Sequence, residues 1–118
     1  MISDYRKLEV WQKSILLVQE IYSTTKDFPN DEKFGLVAQM RRAAVSIPSN
    51  IAEGKMRGTD PEFKRFLFIA LGSGAELETQ LEIAKNNNLI SEELYKVNIE
   101  LLTEIMRMLN AFIKKLNE

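Results

Sequence analysis

Gln39, Ser46, Asn50 and Glu53 recur at offsets of 0, 7, 11 and 14, the spacing of one helical face, and Arg42 stands one turn before Ser46. A second helix would align Ser73, Glu76 and Gln80 at offsets of 0, 3 and 7. Amides, hydroxyls and carboxylates in such stripes offer hydrogen-bond donors and acceptors but no strong nucleophile. Buried polar groups need partners. The two stripes therefore read either as a seam that fixes helix register or as a polar surface presented to RNA or protein.

Other chemistry finds little footing. The chain has no His, which removes the commonest general base and any Ser-His-Asp constellation, and no Cys, which removes thiolate chemistry and disulfides. A zinc site would need carboxylates alone, so neither a metal nor a cofactor is expected. Glu76 with Glu82, or Glu100 with Glu104, stand at helical spacing, which reads as solvated faces. Gly72-Ser73-Gly74 lies inside a predicted helix, not after a strand, and no phosphate-loop motif occurs. An enzyme is not expected, and neither is a small-molecule substrate.

Six basic residues, Arg41, Arg42, Lys55, Arg57, Lys64 and Arg65, stand between positions 41 and 65 against Glu53, Asp60 and Glu62. From Glu76 to Glu104 seven Glu face only Lys85 and Lys96. The formal net charge is −1, so no overall basic character draws the chain onto nucleic acid. The uneven distribution nevertheless makes the six bases the candidate phosphate contacts.

The elements that must position these residues are helices. With 118 residues, 45% hydrophobic and 28% charged, the chain fits one folded domain. The first helix is expected over about residues 4–24, with Leu8, Trp11, Ile15, Val18 and Tyr22 on its apolar face, widened by Val10, Leu17 and Ile21. The second is expected over about 31–53, capped by Asn30, kinked at Pro48 and ended by Gly54 in the left-handed conformation. The third, about 60–86, opens with Thr59-Asp60-Pro61-Glu62, a capping box with an early proline. Gly72 and Gly74 inside it suggest a close approach of another backbone.

The fourth helix, about 91–116, starts from Ser91 and carries two apolar stripes. One runs Leu94, Val97, Leu101, Ile105, Met108 and Phe112; the other runs Ile99, Leu102, Met106, Leu109, Ile113 and Leu116. That is more apolar surface than one bundle core uses, so a second subunit is expected against it. Short connections force antiparallel neighbours, which makes the fold class all-α, an up-down antiparallel four-helix bundle. No apolar run approaches the ~20 residues of a spanning helix, and the absence of a secretory signal points to a cytoplasmic protein.

Three strings carry a resemblance along nearly the whole chain: LEVWQKSILLVQEIYSTTKDFP, FGLVAQMRRAAVSIPSNIAEG and RFLFIALGSGAELETQL. The chain resembles the four helix bundle proteins also called 23S rRNA intervening-sequence proteins, and is similar to accessory proteins of diversity-generating retroelements. The resemblance implies a ring-forming bundle, typically a homopentamer, with nucleic acid among its partners. The matching positions are Trp11, Gln39, Arg41, Arg42, Ser46, Pro48, Asn50, Glu53, Gly54, Gly72, Ser73, Glu76 and Gln80. This chain departs from the strongly basic accessory proteins in being mildly acidic.

Two functions are thus expected in competition. One is a homo-oligomeric scaffold that binds structured RNA, or an RNA–protein complex, through the basic segment. The other is a protein–protein module whose polar seam only builds the assembly. Arg41 and Arg42 lie about 100° apart on a helix, so one at most faces the seam. Arg42 is expected inward, paired with Glu76 or Glu53, and Arg41 outward.

Overall fold

The computed structural model describes residues 4–117. A short 3-10 turn, Asp4–Lys7, leads into α1, Glu9–Thr25, and a second 3-10 turn, Asn30–Glu32, precedes α2, Leu36–Met56. Helices α3, Asp60–Asn86, and α4, Glu92–Leu116, complete the fold, and no strand occurs among the described residues. α1 packs on α2 and α4, and α3 packs on the same two, so the four helices form a closed cycle measuring 43 × 24 × 19 Å. This is the expected up-down bundle.

The buried line of α1 is Val10, Ser14, Leu17, Ile21, Thr24 and Thr25. Its axis is rotated from the expected stripe: Leu8, Trp11, Ile15 and Val18 are only half-buried and Tyr22 is exposed. Hydroxyl groups hide in this face because they bond to the helix's own carbonyls. Ser14 Oγ donates to Trp11 O at 2.7 Å, and Thr25 Oγ1 donates to Ile21 O at 2.7 Å.

α2 departs from expectation at both ends. Asn30 caps nothing with its side chain; it opens the 3-10 turn, and the α-helix begins only after Gly35. At the other end the helix passes through Gly54 and stops at Met56, and the left-handed residue is Gly58 at φ +87°. Gly54 serves packing instead. A Cβ there would stand 2.5 Å from Phe66 Cβ, inside the hard-sphere limit, so only glycine lets α3 come this near. Pro48 is buried within α2, which runs through it without interruption.

α3 and α4 match their expected spans. Thr59 Oγ1 accepts from Glu62 N at 3.4 Å with Pro61 in the first turn, and Ser91 Oγ accepts from Leu94 N at 3.1 Å. The inward line of α4 is Leu102, Ile105, Leu109 and Ile113, drawn from both expected stripes, together with Asn98, which belonged to neither. Asn98 is fully buried and donates through Nδ2 to Thr24 Oγ1 at 2.9 Å and to Leu94 O at 2.8 Å, pinning α4 to α1. The two glycines of α3 differ. A Cβ at Gly74 would meet Met106 Sδ at 3.1 Å, whereas at Gly72 it would meet nothing within 4 Å.

These contacts set a stability contrast. Gly54→Ala should destabilise the bundle by roughly 1–3 kcal/mol through overpacking against Phe66. Gly72→Ala should stabilise it by up to about 1 kcal/mol through helix propensity. Urea melts of the two variants beside the parent check both signs.

Candidate interaction surfaces

The two polar stripes meet where α2 crosses α3. Ser46 Oγ and Ser73 Oγ share a hydrogen bond of 2.8 Å, and Asn50 Nδ2 donates to Ser46 Oγ at 2.9 Å and to Ser46 O at 2.8 Å. One heptad along each helix from that pair stand Gln39 and Gln80. Gln80 is buried and its Oε1 has no hydrogen-bond partner among the described residues. The seam thus closes in the middle and is open at one side.

The remaining residues of the stripes turn outward. Gln39, Arg42, Glu53 and Glu76 are all exposed, and Pro48 is buried away from them. Arg42 makes no ion pair among the described residues. The expected inward Arg42 is therefore wrong, and the roles of the two arginines are reversed. Arg41 is the half-buried one: its Nε donates to Thr25 Oγ1 at 3.0 Å and its guanidinium stacks 4.4 Å from the Tyr22 ring centroid. The cause is the rotation of α1, which puts Thr25 and Tyr22, not a carboxylate, beside this turn of α2. Glu53 is taken by Arg57 on its own helix at 3.0 Å.

The six candidate phosphate contacts fall into two groups. Arg41 on α2 and Arg57 just past its end stand sixteen residues apart, about 24 Å along the helix axis. Lys55, Arg57, Lys64 and Arg65 gather where α2 turns into α3. Arg57 approaches Glu53 at 3.0 Å and Glu62 at 3.8 Å, and Arg65 holds Glu62 at 3.1 Å. Hydrogen bonding to Arg65 lowers the pKa of the Glu62 carboxyl, so this acid stays charged beside the bases. Both guanidiniums also lie over Phe66, at 5.0 and 4.5 Å. Lys64 Nζ donates to Asn117 Oδ1 at 2.7 Å.

The α1–α2 corner is different. Phe34, just before α2, is 90% exposed, with Lys33 Nζ 5.6 Å from its ring. It borders an open groove of about 470 Å³ that also takes in Tyr22, Val45, Arg41 and Arg42. An adjoining hollow brings Lys26 beside Lys33 and Arg41. An exposed aromatic ring among cations can stack a base or an apolar side chain and hold an anion beside it. The sequence reading missed Phe34. Its signal was an aromatic residue in a connecting segment, outside every helical period. Trp11, by contrast, is half-buried, packed edge-on to Tyr5 at 5.4 Å with Arg6 over its ring.

Elsewhere, Tyr95 OH donates to Glu82 Oε1 at 2.8 Å between α3 and α4, and that carboxylate raises the phenol's pKa. No group of three acidic residues is arranged to hold a metal ion among the described residues. What these surfaces offer is recognition: stacking, ion pairing and amide hydrogen bonds.

The seam predicts a thermodynamic signature. A double-mutant cycle on Ser46→Ala and Ser73→Ala should return a coupling of about 1 kcal/mol, while Arg42→Ala and Glu76→Ala should show none. Denaturant titration of the seven proteins, the parent being common to both, checks both cycles.

Comparison with known proteins places these features in a lineage. The family model described as 23S rRNA-intervening sequence protein matches residues 6–111. A crystal structure of a protein of unknown function from the S23 ribosomal protein family of Bacteroides thetaiotaomicron VPI-5482 is similar, with a TM-score of 0.83 and 31% sequence identity. The likeness covers 89% of this chain and 95% of that one. No curated protein matches.

Proposed function

The chain belongs to the 23S rRNA-intervening sequence protein family, and from that premise we propose that it is a non-catalytic, self-assembling helical scaffold that holds structured RNA at its α1–α2 corner. The observation that carries the RNA contact is Phe34, presented to solvent beside Lys33 with Arg41 and Lys26 around it. The family's name associates it with ribosomal RNA, and single-stranded loops are the parts of a folded RNA whose bases can leave the stack for an aromatic ring.

This assignment ranks the two basic groups. At the α2–α3 corner Glu53 and Glu62 engage Arg57 and Arg65, and breaking those pairs offsets part of any phosphate contact made there. At the α1–α2 corner Asp27, Asp31 and Glu32 limit the net charge. Stacking therefore supplies more of the affinity than counterion release does. Repetition of the corner in an assembly multiplies a weak single contact. The competing reading, a purely protein-binding module, draws on the same exposed ring, so Phe34 is where the two separate.

The test is fluorescence anisotropy with a labelled hairpin RNA carrying an unpaired purine loop, against a fully paired duplex of the same length. The hairpin should bind more tightly, and log K should fall with log salt at a slope of about −1 to −2. Phe34→Ala should weaken hairpin binding by roughly 5- to 100-fold. Lys33→Ala should make the slope shallower by about 1 and Arg57→Ala should leave it unchanged. Hairpin binding indifferent to Phe34→Ala overturns the assignment of this corner. A Phe34→Ala variant that binds no less RNA but loses its assembly favours the protein-binding module.

A further inference from the structure

Three cations, Lys26, Lys33 and Arg41, line the hollow that adjoins the Phe34 groove, and no carboxylate lines it. Asp27, Asp31 and Glu32 stand on the same connection but outside the hollow, and Glu32 Oε1 lies 3.8 Å from where a Cβ on Gly35 would stand. None of the three cations makes an ion pair among the described residues. Arg41 is fixed without one. Its Nε donates to Thr25 Oγ1 at 3.0 Å and one terminal nitrogen to Tyr22 O at 3.4 Å, which leaves other N–H groups of the fork for an outside acceptor. The hollow, of about 240 Å³, is more enclosed than the groove, with which it shares Lys33, Val37 and Arg41.

From this arrangement we propose that the hollow takes a terminal phosphomonoester, the phosphate at the end of an RNA strand whose last base stacks on Phe34. The assignment rests on the RNA reading above and names the part of the RNA that this corner prefers. A phosphomonoester carries a charge of about −1.5 to −2 and three acceptor oxygens. An internal phosphodiester carries one negative charge and has chain on both sides. Three cations around one hollow therefore favour the end of a strand over its middle. The wider field favours it too. Glu78 and Glu82 near the end of α3 and Glu92 and Glu93 at the start of α4 share this end of the bundle. A strand laid across that end meets acids along its length, whereas a strand entering by its terminus brings one phosphate to the cations and leads the rest away. Lys33 joins the two parts of the site. Its Nζ stands 5.6 Å from the Phe34 ring centroid and it lines both groove and hollow, so a stacked base and its own phosphate fall within one nucleotide's reach.

The experiment uses a short RNA duplex with a single-stranded purine overhang, labelled at the opposite blunt end, and reads fluorescence anisotropy at one salt concentration. One pair of duplexes carries a 5′ overhang ending in phosphate or hydroxyl, and a second pair carries a 3′ overhang with the same two endings. A terminal phosphate on at least one overhang should tighten binding about tenfold, the yield of one charge-assisted hydrogen bond. The overhang that responds gives the strand polarity of the site. Lys26 is exposed and lines the hollow but not the groove. Lys26→Ala should cut the phosphate advantage by roughly threefold or more, while Lys114→Ala, at the other end of the bundle, should leave it intact. Equal binding with and without phosphate on both overhangs, or an advantage that survives Lys26→Ala, overturns the proposal. If Phe34→Ala still weakens those duplexes, the RNA reading itself stands. Failure of every duplex and of the loop hairpin to bind overturns both.

Discussion

A hydroxyl pair 2.8 Å apart, Ser46 with Ser73, and a glycine under Phe66 hold α2 and α3 closer than ordinary side chains permit. Ala43 and Ala70, both buried, keep the same interface thin. This close approach shapes the rest of the surface. A narrow interface has room for hydroxyls, methyls and the Asn50 and Gln80 amides, but not for a guanidinium or Glu carboxylate with its hydration. Arg42, Glu53 and Glu76 are accordingly displaced to the outer edge, with Gln39 beside them, although they share helical faces with the serines. The polar rim is thus a consequence of how tightly the inner seam packs.

The α1–α4 side is built on another principle. Its buried link is polar, Asn98 with Thr24, supported near the surface by Lys13 and Glu104 at 3.2 Å. A buried amide gains little net stability, because its desolvation offsets much of the hydrogen bond. It does penalise every register in which Asn98 would miss Thr24, much as a lone polar core residue fixes register in coiled coils. The apolar residues not needed inward, Leu16, Leu94 and Val97, remain outside. One helix pair is closed by small residues and the other by a polar pin, and each leaves an apolar outer face.

How much of this was legible in the sequence varies by feature. Helix number, order and the α3 and α4 boundaries were, because Thr59, Pro61 and Ser91 are local signals whose effect is local. The α2 boundaries were not. Gly54 and Gly58 both suit a left-handed cap, and only the arrival of Phe66 from α3 shows which one is consumed by packing. The inward line of α1 was legible in Val10, Leu17 and Ile21 but not in its polar members. Ser14, Thr24 and Thr25 count as polar in a pattern but are neutralised by their own backbone or by Asn98, so the core axis passes through them. Arg41 and Arg42 exchanged roles because that rotation decides what each one meets. Phe34 carried one sequence signal, its place in a connecting segment, but its exposure is a property of the fold and not of a residue type.

The up-down topology also decides where the charges of a chain of net charge −1 stand. The antiparallel helices cancel most of one another's macrodipoles, which leaves the side chains to set the field. Lys114 and Lys115 at the end of α4 stand at the same end of the bundle as Lys55, Lys64 and Arg65, while Glu92 and Glu93 at the start of α4 stand at the end of Glu78 and Glu82. Folding therefore gathers the glutamates of the second half toward the pole that also bears the α1–α2 corner, and its terminal lysines at the other pole of a 43 Å rod. Were copies to assemble side by side with their helices parallel, as the proposed self-assembly allows, like poles would gather on the same rim. Local potential on each rim would then grow with the number of copies while net charge stayed near zero per chain. Net charge is the wrong quantity for judging such a protein's partners; what matters is which end of the rod a ligand meets and how many rods stand beside it.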